Sequence, residues 1–340
     1  LKEIVRICNE NNIRSYLTVN TIIYDHDVNL MRQILDTAKE SGLTAIIASD
    51  QAVMNYAHTI GLEVHISTQM NVSNIETVKF YANFADVMVL ARELSLKQVK
   101  HITEEIEKQQ IKGPSGELIQ IEIFTHGALC MAISGKCYLS LHEQNSSANR
   151  GACLQTCRKA YIVTEKESGN ELEIDNEYIM SPKDLSTIGF IDKVLDAGVK
   201  VFKIEGRARP AEYVKIVTEC YNEAVDAVYD GSYSKDKIEK WEERLATVFN
   251  RGFWDGYYLG RKMGEWNKEY GSKATKKKIY IGKGTNYFKN IKVAEFLLRA
   301  DNLKVGDEIL ITGPTTGVIQ TEVKEIRVDL KNTDEAQKGQ

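Results

Sequence analysis

Short apolar runs alternate with amphipathic stretches through residues 16–205, and this alternation restricts the fold more than any other feature. The runs at residues 16–20, 45–48, 64–67, 87–91, 119–124 and 199–205 have the apolar character expected of strands covered on both faces. Between them apolar residues recur at spacings of three and four, as in Leu30, Met31, Ile34, Leu35 and Ala38 of residues 28–41, which is the period of a helix packed on one side. Residues 51–60, 186–197 and 236–249 read as further helices, and residues 1–11 as the end of one with Ile4, Ile7 and Cys8 on a single face. Gly42 and Gly198 stop helices. Ser73-Asn-Ile-Glu76 and Ser95-Leu-Lys-Gln98 are capping boxes, and Pro210 opens a long helix to Tyr229 with a stripe of Val214, Val217, Tyr221, Val225 and Val228. Strand–helix units in succession predict an α/β fold on a parallel sheet, best matched by a TIM-like (β/α) barrel. No glycine-rich nucleotide loop follows any strand. Polar residues collect where the strands end: Asn20, Asp50, Thr68-Gln69, Arg92-Glu93, His126, Lys183-Asp184 and Glu205-Arg207. In a barrel that rim is where active sites assemble.

The 340 residues suffice for a large core and two domains. A net charge of −4 announces no basic field for nucleic acid, and no apolar run is long enough to span a membrane. The chain opens on Leu1, so a removed targeting peptide is not readable.

Cysteine usage is the most specific chemical signal. Cys130, Cys137, Cys153 and Cys157 fall in one segment, spaced C-x6-C, then fifteen residues, then C-x3-C. The remaining two, Cys8 and Cys220, sit on apolar stripes of predicted helices, and Cys220 reads as core. Four clustered thiols in a chain of this size point to a metal site in a reducing cytosol rather than to disulfides. Thiolates are soft donors suited to zinc or to an iron–sulfur cluster, and spacing alone leaves both open.

The segment His126-Gly-Ala-Leu-Cys-Met-Ala-Ile-Ser-Gly-Lys-Cys137, followed by Cys153 and Cys157, resembles the collagenase-like peptidase family U32. The likeness extends through Tyr16-Leu-Thr-Val-Asn20, Gln69, Ala91-Arg-Glu-Leu-Ser95, Ser181-Pro-Lys-Asp-Leu185 and Lys203-Ile-Glu-Gly-Arg207, and is greatest to the tRNA hydroxylation branch. Two earlier strands usual in the family have no counterpart here, so the barrel is expected to lack its first strands. The resemblance implies an oxygen-independent hydroxylase with a [4Fe-4S] cluster on Cys130, Cys137, Cys153 and Cys157, with zinc the alternative metal. It further implies tRNA as substrate, its wobble uridine becoming 5-hydroxyuridine, prephenate as a dicarboxylate oxygen donor, and an electron-donor protein. His126, Glu205 and Glu93 are the candidate catalytic groups. Arg92, Arg207, Lys203 and Gln69 are the candidate substrate-binding groups, since guanidinium forks clamp carboxylates. On period two, Lys203, Glu205 and Arg207 are expected to point the same way, with a structural ion-pair ring as the plainer alternative.

Two other functions are expected to leave different marks. The family's name suggests a peptidase, yet neither H-E-x-x-H nor G-x-S-x-G occurs. A non-catalytic, zinc-stabilised RNA-binding accessory protein is the third possibility.

After the cysteines, residues 161–164 and 178–180 read as strands about a polar hairpin. The expected domains are 1–272 as the barrel, 273–330 as a small translation-factor-like β-barrel reached through the basic linker Lys273 to Lys278, and 331–340 as a flexible tail. The short strands of the second domain are expected at residues 279–281, 292–296, 308–311 and 318–323. The Lys276-Lys-Lys278 run is read as a solvated linker before it is read as a phosphate contact.

Overall fold

The computed structural model describes residues 1–162, 167, 180–260, 264–266, 268 and 271–340. Helix α1 (Lys2–Glu10) leads into β1 (Tyr16–Val19), α2 (Val28–Glu40), β2 (Ala45–Ala48), α3 (Gln51–Ile60) and β3 (Val64–Ile66). The alternation continues with α4 (Ile75–Tyr81), β4 (Val87–Val89), α5 (Leu96–Gln109) and β5 (Gln120–Ala128). The cysteine segment holds the short α6 (Leu139–Gln144). Then come β6 (Asp184–Ser186), α7 (Ile191–Asp196), β7 (Val201–Ile204), α8 (Ala211–Tyr229), α9 (Lys235–Ala246) and β8 (Phe253–Trp254).

Strands β1 to β5 run parallel in chain order, and β7 joins β5 in parallel. Beyond Phe124 the register with β7 shifts, and the last residues of β5 also pair antiparallel with β6, His126 opposite Ser186. Strand β8 flanks β6. The α/β class with a parallel sheet is therefore as the sequence predicts. Closure is not: among the described residues the sheet is open, with β1 at its edge.

Every residue of β3 and β4 is buried, as two-sided cover requires. The helices bury narrower stripes than their sequences suggest. In α2, Met31, Leu35 and Ala38 are buried, whereas Leu30 and Ile34 are exposed. In α1 only Val5 is buried, and Ile4 and Ile7 face out. In α8 the buried row is Tyr213, Val217, Cys220, Tyr221, Ala224 and Ala227, with Val214 exposed. Cys220 is a core residue as expected, and Cys8 is only half-buried. Deleting the side chain of a residue such as Leu35 costs about 2–5 kcal/mol through lost transfer energy and a cavity. Helix α5 has its capping box, Ser95 N–H donating to Gln98 Oε1 at 2.9 Å. Helix α4 does not begin at Ser73: Asn74 is the cap, accepting from Thr77 N–H at 2.9 Å.

Beyond the linker lie β9 (Gly282–Phe288), β10 (Val293–Leu298), β11 (Leu303–Lys304), β12 (Glu308–Gly313), β13 (Gly317–Glu322), β14 (Ile326–Val328), β15 (Lys331–Thr333) and β16 (Glu335–Ala336). They form four antiparallel pairs, β9–β10, β11–β16, β12–β13 and β14–β15, and no closed barrel among the described residues. Their small core is Leu298, Val323, Ile326 and Ala336. Residues 279–281 are not a strand. Residues 331–336 are not a free tail, because pairing with β11 and β14 and burial of Ala336 hold them down. The expected strand at 161–164 is absent at Tyr161 and Ile162, Met180 lies in a turn, and the intervening hairpin lies outside the described residues. No described helix is long and apolar enough to cross a membrane.

Candidate active site at the carboxyl ends of the strands

The cysteine segment leaves the sheet at the end of β5 and is tied down over the ends of its neighbours. Gly127 makes the exit possible: its φ is +106°, and a Cβ there would lie 2.7 Å from the Glu205 carbonyl oxygen. Asn71 Nδ2 donates to the Ser134 carbonyl at 3.3 Å, anchoring the segment to the turn after β3. Arg150 donates to the Ile22 carbonyl and to Asp27 Oδ2, both at 2.6 Å, and lies over the Tyr24 ring, anchoring it to the loop after β1. Arg207 donates to the Gly151 carbonyl at 3.2 Å, anchoring it to the loop after β7.

The segment borders a cavity of about 520 Å³ whose wall carries all four of Cys130, Cys137, Cys153 and Cys157, together with Gln69 and His142. Cys130 is exposed and the other three are half-buried. Burial pushes the Cys157 thiol up, Arg158 pulls it down, and Cys130, Cys153 and Cys137 raise it again, so the four sulfurs lie within electrostatic reach of one another. Among the described residues no three His, Cys, Asp or Glu side chains close on a single point as a lone metal ion requires. Gln69 Oε1 is buried on this wall without a hydrogen-bond partner among the described residues.

The Arg92 guanidinium carbon lies over the Phe124 ring, 3.8 Å from its centroid, and its buried Nε has no hydrogen-bond partner among the described residues. Burial lowers its pKa, and Glu205, Cys130, Tyr258 and Glu93 act in the opposite sense, so Arg92 lies within electrostatic reach of both the carboxylates and Cys130. Glu205 accepts from the Arg207 backbone N–H at 2.8 Å, and Glu93 is exposed. The single row of charges expected from β7 does not form, because the strand ends at Ile204. Arg207 lies beyond it on the surface. Lys203 donates to Glu122 Oε1 at 2.7 Å, and Glu122, only 4% exposed, also lies 3.9 Å from His65 Nδ1.

His126 is set apart from the cavity. It is buried among the rings of Tyr213, Tyr221 and Phe253, with Nδ1 3.4 Å from Tyr221 Oη. Burial, reinforced by Arg209, depresses its pKa to about 3. The imidazole is neutral near pH 7, a packed core group that does not line the cysteine wall.

Residues 1–268 match the family model described as peptidase family U32. The chain belongs to that family. It is 60% identical over 340 residues to a protein named collagenase from Porphyromonas gingivalis, covering 100% of this chain and 82% of that protein. It is 30% identical over 323 residues to tRNA hydroxylation protein P1 of Bacillus subtilis, covering 92% of this chain and 73% of that protein. It is also 30% identical over 272 residues to a 23S rRNA 5-hydroxycytidine synthase of Escherichia coli, covering 78% of this chain and 39% of that protein.

In this U32 chain one further cluster was not legible as a unit. Asp184, 1% exposed, has Arg251 Nη1 at 3.5 Å from Oδ1 and Arg209 Nη2 at 3.8 Å from Oδ2. Both guanidiniums stack on Phe249, at 5.1 and 4.0 Å. Arg158, which also acts electrostatically on Asp184, donates to Ser181 Oγ and the Pro182 carbonyl at 3.0 Å and to the Leu129 carbonyl at 2.5 Å. The available signal was adjacency: Arg158 follows Cys157, Arg209 follows the Lys203–Arg207 motif, and Arg251 heads the aromatic turn to Tyr258.

Proposed function

We propose that this chain is an iron–sulfur hydroxylase that modifies RNA without molecular oxygen, acting on the wobble uridine of tRNA in the cytoplasm. The observation that carries the proposal is the wall of four cysteines on one cavity beside Arg92 and Gln69. Four thiols on the wall of one cavity suit an iron–sulfur cluster, which takes one thiolate per iron, with zinc the alternative metal. Cys130, Cys137, Cys153 and Cys157 would hold a [4Fe-4S] cluster, and a bound cluster supplies one-electron chemistry to the site. Arg92, over the Phe124 ring and with its buried Nε lacking an acceptor among the described residues, is suited to receive a carboxylate of a small oxygen donor such as prephenate. Gln69 is placed to orient a polar group on the cavity wall. Glu205 and the exposed Glu93 lie within electrostatic reach of Arg92 and are the carboxyl groups of the rim. We read the sheet as the arc of a TIM-like barrel, whose strand ends are the expected place for such a site. An electron-donor protein completes the proposed partners. The relatives named for tRNA and rRNA hydroxylation support an RNA substrate.

Peptidase chemistry finds less support despite the collagenase-named relatives. Among the described residues no hydrogen bond joins a cysteine or serine side chain to a histidine ring, the arrangement a nucleophile–base pair needs.

The test is metal content together with product. Protein purified without oxygen should carry iron matched by acid-labile sulfide and absorb broadly in the visible. Cys153→Ala should lower both contents, and cells holding only that variant should lack 5-hydroxyuridine derivatives in tRNA by mass spectrometry. Stoichiometric zinc without colour, or unchanged 5-hydroxyuridine in cells lacking the gene, would sink the assignment.

A further inference from the structure

The segment that carries the four cysteines is closed at its base by one side chain. Arg158 follows the last of them, Cys157, and its Nη2 donates at 2.5 Å to the carbonyl of Leu129, the residue before the first, Cys130. Its Nη1 donates at 3.0 Å to Ser181 Oγ and to the Pro182 carbonyl. Ala128, the last residue of β5, stands opposite Asp184, the first of β6. Leu129 and Pro182 therefore lie just past the end of that antiparallel ladder, where no backbone hydrogen bond joins the two stretches among the described residues. The guanidinium takes over there as a side-chain rung between the two backbones. Among the described residues no other hydrogen bond or ion pair joins residues 127–131 to residues 153–160.

Arginine is suited to this task. Its planar fork presents several donors in fixed directions and can serve two carbonyls and a hydroxyl at once, which a lysine ammonium on a flexible stem does not do. The half-buried cation acts on Asp184, whose carboxylate is 1% exposed and supplies counter-charge. Drawing the ends of a long loop together costs chain entropy, and a group that must gather ligands from an open loop bears that cost when it binds. A loop already closed between Leu129 and Arg158 removes most of it. Of the other three cysteines, Cys130 acts most strongly on Cys157, consistent with the two ends being drawn together. The ties to Asn71, Asp27 and Arg207 have a different effect: they hold the middle of the loop over the strand ends.

We propose that Arg158 is the positioning residue of the cysteine site, closing the loop at its base so that Cys130 and Cys157 are held together for the metal group. It acts through the Leu129 and Pro182 carbonyls, and the fork of donors matters more than the charge. The inference rests on the iron–sulfur reading above and adds to it the residue that readies the ligands.

Retention of the cluster tests it. The full chain, purified without oxygen, is mixed with excess bathophenanthroline disulfonate, a ferrous chelator, and the loss of visible absorbance is timed. Wild type is compared with Arg158→Gln, with Arg158→Lys, and with Leu35→Ala as a control that weakens the core of the fold. Arg158→Lys keeps a cation for Asp184, so it folds even where Arg158→Gln does not, and circular dichroism checks both. The expected result is cluster loss at least about tenfold faster in both Arg158 variants, with Leu35→Ala within about twofold of wild type. The electron paramagnetic resonance g values of the reduced cluster should shift in Arg158→Lys and stay at wild-type values in Leu35→Ala. Wild-type lifetimes and g values in both Arg158 variants overturn the inference and leave the cluster reading standing. Full rescue by Arg158→Lys overturns it by assigning the effect to charge, and equally fast loss in Leu35→Ala overturns it by assigning the effect to fold stability. A wild-type chain without iron overturns the cluster reading and this inference together.

Discussion

Near pH 7 the His126 ring carries no charge, and this gives the protein an acid-sensitive element. The folded-state pKa, about 3, is depressed below the unfolded value of about 6.5. The unfolded chain therefore binds a proton across that window and the folded chain does not. Stability from this group is fully present above the unfolded pKa and is lost as pH falls toward the folded one. Between pH 7 and pH 5 the wild type should lose about 2 kcal/mol more than His126→Asn, read from urea midpoints at the two pH values. Arg92 makes the complementary residue-scale case, since its value lies in planarity. Arg92→Lys keeps the charge but loses the stacked fork on Phe124, and should lower kcat/KM by more than about tenfold with iron and sulfide per chain unchanged. Equal kcat/KM for the two proteins would show that the guanidinium holds no reacting group. The sequence named both residues as site candidates, but only packing separates them: the His126 ring sits among three aromatic rings, while Arg92 neighbours Cys130.

At the scale of elements, the end of β5 is the mechanical origin of the site. Gly127 sits where β5 meets both β6 and β7, with its φ at +106° and the Glu205 carbonyl where a Cβ would be. Gly127→Ala should therefore cost at least about 2 kcal/mol of stability and disturb the approach to Cys130, measurable as a lowered thermal midpoint with reduced iron per chain. Strand and helix existence was legible because period-two and period-3.6 patterns survive in any tertiary context. The boundaries were less so: β7 ends at Ile204, which separates Arg207 from the row it was expected to join. The buried stripe of α2 omits Leu30 and Ile34, because the breadth of a helix face depends on what packs against it, and periodicity records only its direction.

For the molecule as a whole, Asp184 links distant parts of the chain. Its carboxylate on β6 lies among Arg158 behind the last cysteine, Arg209 before α8 and Arg251 after α9. Asp184→Asn would leave these guanidiniums without that buried counter-charge, and should destabilise by about 3–5 kcal/mol in denaturant unfolding. Adding Arg251→Met to that variant should recover part of the loss, because one uncompensated cation is removed. No recovery would mean that Asp184 acts by its hydrogen bonding alone.

By itself the sequence determined the α/β class, the parallel order of the first five strands, the core role of Cys220 and the clustering of four thiols. Each of these rests on local spacing: which face a residue takes on a strand or helix, and how many cysteines one segment carries. Tertiary structure alone decided that Lys203 turns to Glu122, that His126 is withdrawn into an aromatic core, and that residues 331–336 close the small domain's sheets. It also decided that three dispersed arginines share Asp184, and that Lys276 and Lys278 of the linker are engaged by Glu308 and Glu212. Those outcomes depend on which charges and rings meet across long stretches of chain. Such meetings are set by the desolvation and packing of the assembled fold, and no local period in the sequence records them.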